Sequence, residues 1–247
     1  MSTDANVIPA TGRIDLHSHL LPGVDDGCRD VTESLACVRT LIGQGYVGTV
    51  CTPHVWPEQF PQTHPFNIAR WVVEMREHIA DAGLDYHLWT GGEVRLCPDV
   101  IATFEGYGVP TLGDSKFVLV DFWTQDWPGY VDRAFAWLLD RGYTPILAHP
   151  ERLGCVNDLL ARLDDLADMG MLLQGNLRCL TGEEGLRQLN VIQRLLQEDR
   201  YAALAMDMHR PDSLASRIDG LTLAVQDLGA ERVTQLTDHA PRRIVLG

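Results

Sequence analysis

Residues 13–52 read RIDLHSHLLPGVDDGCRDVTESLACVRTLIGQGYVGTVCT, and they hold one complete strand–helix–strand unit. The apolar run 13–17 suits a strand. Asp30 precedes Val31, and Glu33 follows three residues later, the spacing of an N-cap box; the helix it opens should end near Gly43 or Gly45. A second strand candidate, 46–52, follows at once. The same alternation continues outward from this unit. Further strand candidates lie at 85–91, 117–122, 144–148, 171–175 and 201–206. Helical patterns fill the gaps: Phe66 to Ala82, Tyr130 to Arg141 and Val156 to Met169 each stop before a glycine suited to a left-handed C-terminal cap. Repeated strand–helix units of this kind imply an α/β fold with a mostly parallel sheet or barrel.

The chain has 247 residues, of which 45% are hydrophobic, enough for one large core. No Ser/Gly-rich linker, charge block or low-complexity tract interrupts the pattern, so residues 1–247 are expected to form a single domain. The formal net charge of −14 repels phosphate backbones and anionic membrane surfaces, which argues against nucleic acid as a partner. The cysteines at 28, 37, 51, 97, 155 and 179 form no C-x-x-C pair and read as reduced thiols. The opening MSTDANVIPATGRIDLHSH shows neither a basic n-region nor an apolar h-region, and no stretch approaches the roughly 18 apolar residues of a membrane span. A cytoplasmic protein without a membrane anchor is expected.

Once the strands are marked, His17 and His19, His54, Glu93, Asp121, His149, and Asp207 with His209 all fall at or just beyond strand C-terminal ends. In a βα barrel those ends converge on one face, where barrel enzymes build their active sites. Residues two apart on an extended segment point to the same side, so His17 with His19, and Asp207 with His209, can each grip a cation. Imidazoles mixed with carboxylates suit Mn, Fe or Zn better than Mg or Ca. Glu93 can bridge two ions, and Gly91 and Gly92 before it would let the backbone pass close to a crowded cluster. His64, His78, His87 and His239 have no such placement and read as ordinary surface or core residues, with His64 an outside candidate. Asp25, beside Asp26, reads as a turn cap. The irregular stretch 53–65, with Trp56 and Phe60, suits the wall of a substrate site.

The segments DLHSHLLPGVDDG (15–27), TPH (52–54), GGE (91–93), LVDF (119–122), AHPER (148–152) and DMH (207–209), in this order, resemble the polymerase-and-histidinol-phosphatase (PHP) superfamily. Within it, the chain is most similar to the bacterial capsular-type protein-tyrosine phosphatases, and APRRIV (240–245) resembles that group's ending. The resemblance implies a distorted (β/α)7 barrel, TIM-barrel-like, matching the seven strands counted above. It also implies a centre of two or three divalent ions, Mn foremost, with His17, His19, Asp26, His54, Glu93, Asp121, His149, Asp207 and His209 as ligands. Arg152 matches a phosphate-binding arginine, and Arg210 is the candidate for a second. Asp121 departs from the pattern, because the capsular group typically carries glutamate there.

The implied activity is metal-dependent hydrolysis of phosphotyrosine on proteins. The implied partner is a bacterial tyrosine kinase that regulates capsular or extracellular polysaccharide. Bound cations would polarise phosphoryl oxygens and activate water, with the arginine fork on the remaining oxygens. Trp56, Phe60, Trp123 and Trp127 are candidates to stack on the phosphotyrosine ring. No arginine follows any cysteine in a C-x5-R loop, so a thiol nucleophile is not expected. Two alternatives share the same ligands: a small-molecule phosphatase such as a histidinol-phosphatase, and a non-catalytic metal-binding regulator. A nuclease is disfavoured by the net charge.

Overall fold

The structure is a computed structural model that describes residues 9–124, 127–153 and 158–247. Among these, nine strand segments are all paired in parallel: β1 (Arg13–Ser18), β2 (Tyr46–Cys51), β3 (His54–Val55), β4 (His87–Thr90), β5 (Glu93–Arg95), β6 (Phe117–Asp121), β7 (Thr144–Ala148), β8 (Leu172–Asn176) and β9 (Ala203–Ala205). One sheet runs β1-β2-β4 and the other β3-β5-β6-β7-β8-β9. The division is local. Pro53 offers no N–H to a ladder and separates β2 from β3, while Gly91 and Gly92 separate β4 from β5. Since β2 pairs with β4 and β3 with β5, the two pairs continue each other. A bridge from Ser18 to Met208 and the His19 N–H to Met208 carbonyl bond (2.7 Å) join the first strand to the chain beyond the last. The nine segments thus occupy seven positions around a distorted barrel.

Helices α1 (Val31–Gly43), α2 (Pro65–Asp81), α3 (Val100–Tyr107), α4 (Gly129–Asp140), α5 (Leu159–Asp168), α6 (Leu186–Gln197) and α7 (Leu214–Leu228) wrap the strands, followed by α8 (Ala230–Thr234) and α9 (Ala240–Leu246). The Asp30 carboxylate accepts the Glu33 N–H at 2.9 Å, capping α1. The reciprocal half of the expected box is displaced: the Glu33 carboxylate accepts the N–H of Arg29, not of Asp30. Gly83, Gly142 and Gly170 take φ of +66°, +77° and +86°, the left-handed conformation predicted after the helices.

Several boundaries differ from the sequence reading. The strand expected at 201–206 shortens to Ala203–Ala205, because the Met206 N–H goes to the Asp15 carboxylate and its carbonyl to Arg217. The strand at 85–91 begins at His87. The 53–65 stretch is less irregular than expected, since it carries β3 and ends in the first turn of α2. Of the helix expected from Val156, residues 159–168 are helical; Val156 and Cys155 lie outside the described residues.

Alternate residues of each strand face two separate cores. Ile14, Leu16, Val50, Leu119, Ile146 and Ala203 fill the barrel interior, closed at its base by Ile244 and Val245 of α9 and by Leu112. Val94, Val118, Val120, Phe122 and Leu173 face outward against the helices. This alternation aims Glu93 and Asp121 inward at the strand C-terminal ends.

Candidate metal centre

β1 and the residue just after it deliver His17 and His19, both fully buried, into the barrel mouth. Each ring is fixed from behind. His17 Nδ1 lies 2.9 Å from Gln174 Oε1, and the Gln174 amide nitrogen donates in turn to the Gly175 carbonyl. An amide oxygen only accepts, so the His17 proton sits on Nδ1 and Nε2 is left as a lone pair. His19 Nδ1 lies 2.7 Å from Asp25 Oδ2, which keeps a proton on Nδ1 and turns Nε2 inward. The turn bringing Asp25 to His19 needs glycine at 27, where a Cβ would sit 2.1 Å from the His19 carbonyl oxygen. Asp25 is therefore more than a turn cap: besides the Gly27 N–H, it orients His19 and accepts the His54 N–H.

Glu93 Oε2 is the hub. It lies 2.9 Å from His54 Nδ1, 3.3 Å from His17 Nε2 and 3.4 Å from His19 Nε2, while Oε1 lies 3.0 Å from His149 Nε2. Asp207 Oδ1 lies 3.4 Å from both His17 Nε2 and His19 Nε2. His209 Nε2 and His54 Nε2 approach Asp26 Oδ1 at 3.6 and 3.4 Å. The ligand atoms fall into three overlapping sets: His19, Asp26, His54 and His209; His17, Glu93 and His149; and His17, His19 and Asp207. Eight of the nine expected ligands belong to them. Asp121 does not; its Oδ1 stands 3.9 Å from His149 Nδ1, on the flank.

Buried polar atoms are almost always paired, yet His17 Nε2 and His19 Nε2 are buried without a hydrogen-bond partner, and Glu93 Oε2 has only the ion pair to His54. They converge on one another and on Asp207 Oδ1. Lone pairs on imidazole nitrogens facing carboxylate oxygens form a donor set that fits borderline first-row cations.

The local electrostatics agree. Burial alone would lower the His54 pKa, but Glu93 and Asp26 raise it to about 10. Burial alone would raise Glu93 and Asp207, yet the histidines, and Arg152 for Asp207, hold both well below the usual carboxylate range. Without cations, protons on His19 and His54, both raised by neighbouring carboxylates, do the work of positive charge here, whereas His209 is pushed down to about 4 by burial and by His19.

Two of the candidate ligands sit on strained backbone, His149 at φ +34° and Asp207 at φ +48°; such conformations cost of order 1–3 kcal/mol and persist where the surroundings hold them. Arg217, 2% exposed, holds Asp207: it donates to the Asp207 carbonyl from Nε (2.9 Å) and Nη2 (2.7 Å), and to the Met206 carbonyl from Nε (2.7 Å). Asn176 Nδ2 and Arg152 Nη1 both donate to Asp207 Oδ2 at 2.7 Å. Arg152 also pairs with Glu184. Beside it opens a cavity of about 360 Å³ lined by Asp121, Phe122, Trp123, Thr124, Arg152 and Leu153. A larger cleft of about 510 Å³ lies between α2 and β4, on the outer wall away from the strand ends and without these groups.

Arg210 is not brought into the cluster: its side chain is exposed, with Nε 3.7 Å from Asp212. His64 stacks on Tyr107, and His87 lies tilted against Trp89. Trp127 packs against Phe122 and Phe135 beneath the sheet and does not line the cavity. The expected role of Gly91 and Gly92 is corrected: a Cβ at either would strike Val50 or Val55 at 2.7 Å, so they serve strand packing rather than the cluster. Sequence reasoning missed Gln174, Asn176, Glu184 and Arg217. A glutamine ending the apolar run LLQGN was a signal for the first; the others act through contacts distant in sequence.

The family model for capsular polysaccharide synthesis, CpsB/CapC, matches residues 13–246. Tyrosine-protein phosphatase CpsB of Streptococcus pneumoniae is 28% identical over 239 residues, covering 94% of this chain and 98% of its own. Tyrosine-protein phosphatase YwqE of Bacillus subtilis is 26% identical over 229 residues, covering 92% and 89%. A solved structure from work on YwqE and CpsB, described as metal-dependent tyrosine phosphatases, superimposes with a TM-score of 0.81 at 24% identity over 94% of each chain. The phosphotriesterase homology protein of Escherichia coli, solved with phosphate in its active site, reaches 0.58 at 13% identity, covering 95% of this chain and 99% of its own. The chain belongs to the CpsB/CapC family of capsular polysaccharide synthesis.

Proposed function

We propose that residues 1–247 form one catalytic domain, a metal-dependent phosphatase that hydrolyses phosphotyrosine on proteins. The carrying observation is that the buried, unpartnered His17 Nε2 and His19 Nε2 converge on Glu93 Oε2 and Asp207 Oδ1 beside a cavity that Arg152 lines. The relatives' names supply the substrate class. The proposed ligands are His17, His19, Asp26, His54, Glu93, His149, Asp207 and His209, with Asp121 at the margin, holding two or three ions, Mn foremost.

When bound, such ions act as Lewis acids that polarise phosphoryl oxygens and lower the pKa of water. The chain's own residues do the rest. Gln174 and Asp25 keep the His17 and His19 lone pairs facing inward. Glu184 and Asp207 lock Arg152 while leaving N–H groups on Nη1 and Nη2 for a phosphoryl oxygen. Trp123 and Phe122 shield the cavity and offer apolar surface to an aromatic ring. A phenol, with a pKa of about 10, departs with less help from a general acid than an alkyl alcohol does. Burial raises the Cys51 and Cys179 thiols and makes them poor nucleophiles.

The proposed partner is the phosphorylated tail of a bacterial tyrosine kinase that controls polysaccharide export, met in the cytoplasm; no helix among the described residues is long and apolar enough to cross a membrane. Mn-loaded protein should hydrolyse phosphotyrosine peptides, chelation should abolish this, and His149→Ala should remove both metal and turnover. Turnover of histidinol phosphate with none of phosphotyrosine would transfer the assignment to a small-molecule phosphatase; metal content without turnover of either would make the protein a regulator.

A further inference from the structure

Three residues at the mouth lie each two positions beyond a residue of the site: Trp56 after His54, Arg95 after Glu93, and Trp123 after Asp121. On extended chain that spacing keeps the same facing, so they form a ring just outside the centre. The Arg95 guanidinium lies 4.4 Å from the Trp56 ring centroid and 5.2 Å from that of Trp123, held between the two indoles. Of the indoles that the sequence offered to the phosphotyrosine ring, Trp56 and Trp123 each turn one face to Arg95. Trp123 also lines the 360 Å³ cavity, so Arg95 lies across the indole from the space where the phosphotyrosyl group would enter.

The charge at Arg95 is unusual for this surface. Arg152 is paired with Glu184 and Asp207, and Arg210 faces Asp212. No carboxylate of the described residues lies within ion-pair distance of Arg95, and the Glu58 carboxylate accepts from the Trp56 indole N–H. A stacked guanidinium keeps its in-plane N–H groups free for a carboxylate. On a chain with net charge −14, a guanidinium at the mouth with no ion pair among the described residues offsets repulsion of an acidic segment.

Resting on the phosphotyrosine reading above, we propose that Arg95, clamped by Trp56 and Trp123, is a specificity-determining residue that binds a carboxylate side chain flanking the phosphotyrosine of the substrate. The substrate class is then an acidic phosphotyrosine segment.

The test compares phosphotyrosine peptides identical except for Glu, Gln or Lys beside the phosphotyrosine, using Mn-loaded full-length protein. The wild type should favour Glu over Gln about threefold in kcat/KM, mainly through KM. Arg95→Gln should bring that ratio near one, and Arg95→Glu should favour the Lys peptide. Because each ratio is taken on one preparation, altered folding or metal content cancels. A wild type indifferent to the flanking residue, or an Arg95→Gln protein that keeps the wild-type ratio, overturns the inference while leaving the phosphatase reading intact. Hydrolysis of histidinol phosphate with none of any peptide overturns both.

Discussion

His19 Nδ1 lies 2.7 Å from Asp25 Oδ2, and the same oxygen accepts the His54 N–H at 3.0 Å. One buried carboxylate thus fixes the tautomer of one candidate ligand and the backbone of another. Asp25→Ala should leave the barrel folded and lower metal affinity by about 10–100-fold, the usual cost of losing a carboxylate behind a ligating histidine. Competition with a chelator of known affinity, beside circular dichroism, would measure it; unchanged affinity would reduce Asp25 to a turn former.

Arg217 makes its bonds to backbone carbonyls where the chain turns left-handed at Asp207. Arg217→Met keeps most of the stem but leaves buried carbonyls without donors. It should destabilise the metal-free protein by about 2 kcal/mol, seen as a lower urea midpoint with unchanged slope. It should also lower metal retention, because Asp207 would no longer be held in place.

Proton release should accompany metal binding. At pH 7 His54, raised to about 10, carries a proton in the cation-free site, whereas Asp26, lowered to about 2 by its bond to His54, is ionised. The His54 pairing stabilises the cation-free protein fully below its ordinary value of 6.5 and is lost as pH rises through about 10. A cation must displace that proton, so apparent affinity should rise with pH up to about 10. His209, at about 4, is already neutral and releases none. Calorimetry at pH 7 in buffers of different ionisation enthalpy should detect at least one proton released per chain.

Asp121 ends β6 with its carboxylate 3.9 Å from His149 Nδ1, outside the three ligand sets. Asp121→Glu adds one methylene and restores the residue that the capsular pattern implies. It should raise the weakest site's affinity about tenfold, within the range seen for ligand-shell changes, read as higher metal content after dialysis. Unchanged content would place Asp121 outside the coordination sphere.

The site was legible in the sequence because strand ends gather on one face, so marking strands placed His17, Glu93, His149 and Asp207 together before any distance was known. Residues acting through a neighbour were not. Arg152 and Glu184 are 32 positions apart, and Asp207 and Arg217 meet by crossing from a strand end to a helix. No local period encodes such contacts. The division of one strand into β4 and β5 was also hidden, because Gly91 and Gly92 answer to Val50 and Val55 across the wall. Trp56 and Trp123 were singled out, but their partner Arg95 was not, since a lone arginine at a strand end carries no periodic signal.

The barrel closes where Ser18 meets Met208. His17 and His19 lie on one side of that join, Asp207 and His209 on the other. An ion gripped by His17, His19 and Asp207 would act as a clasp between the two ends of the cylinder, fastening the earliest-made wall to the last. Starving the protein of cations should therefore quicken amide exchange along this join before it does so on the opposite wall.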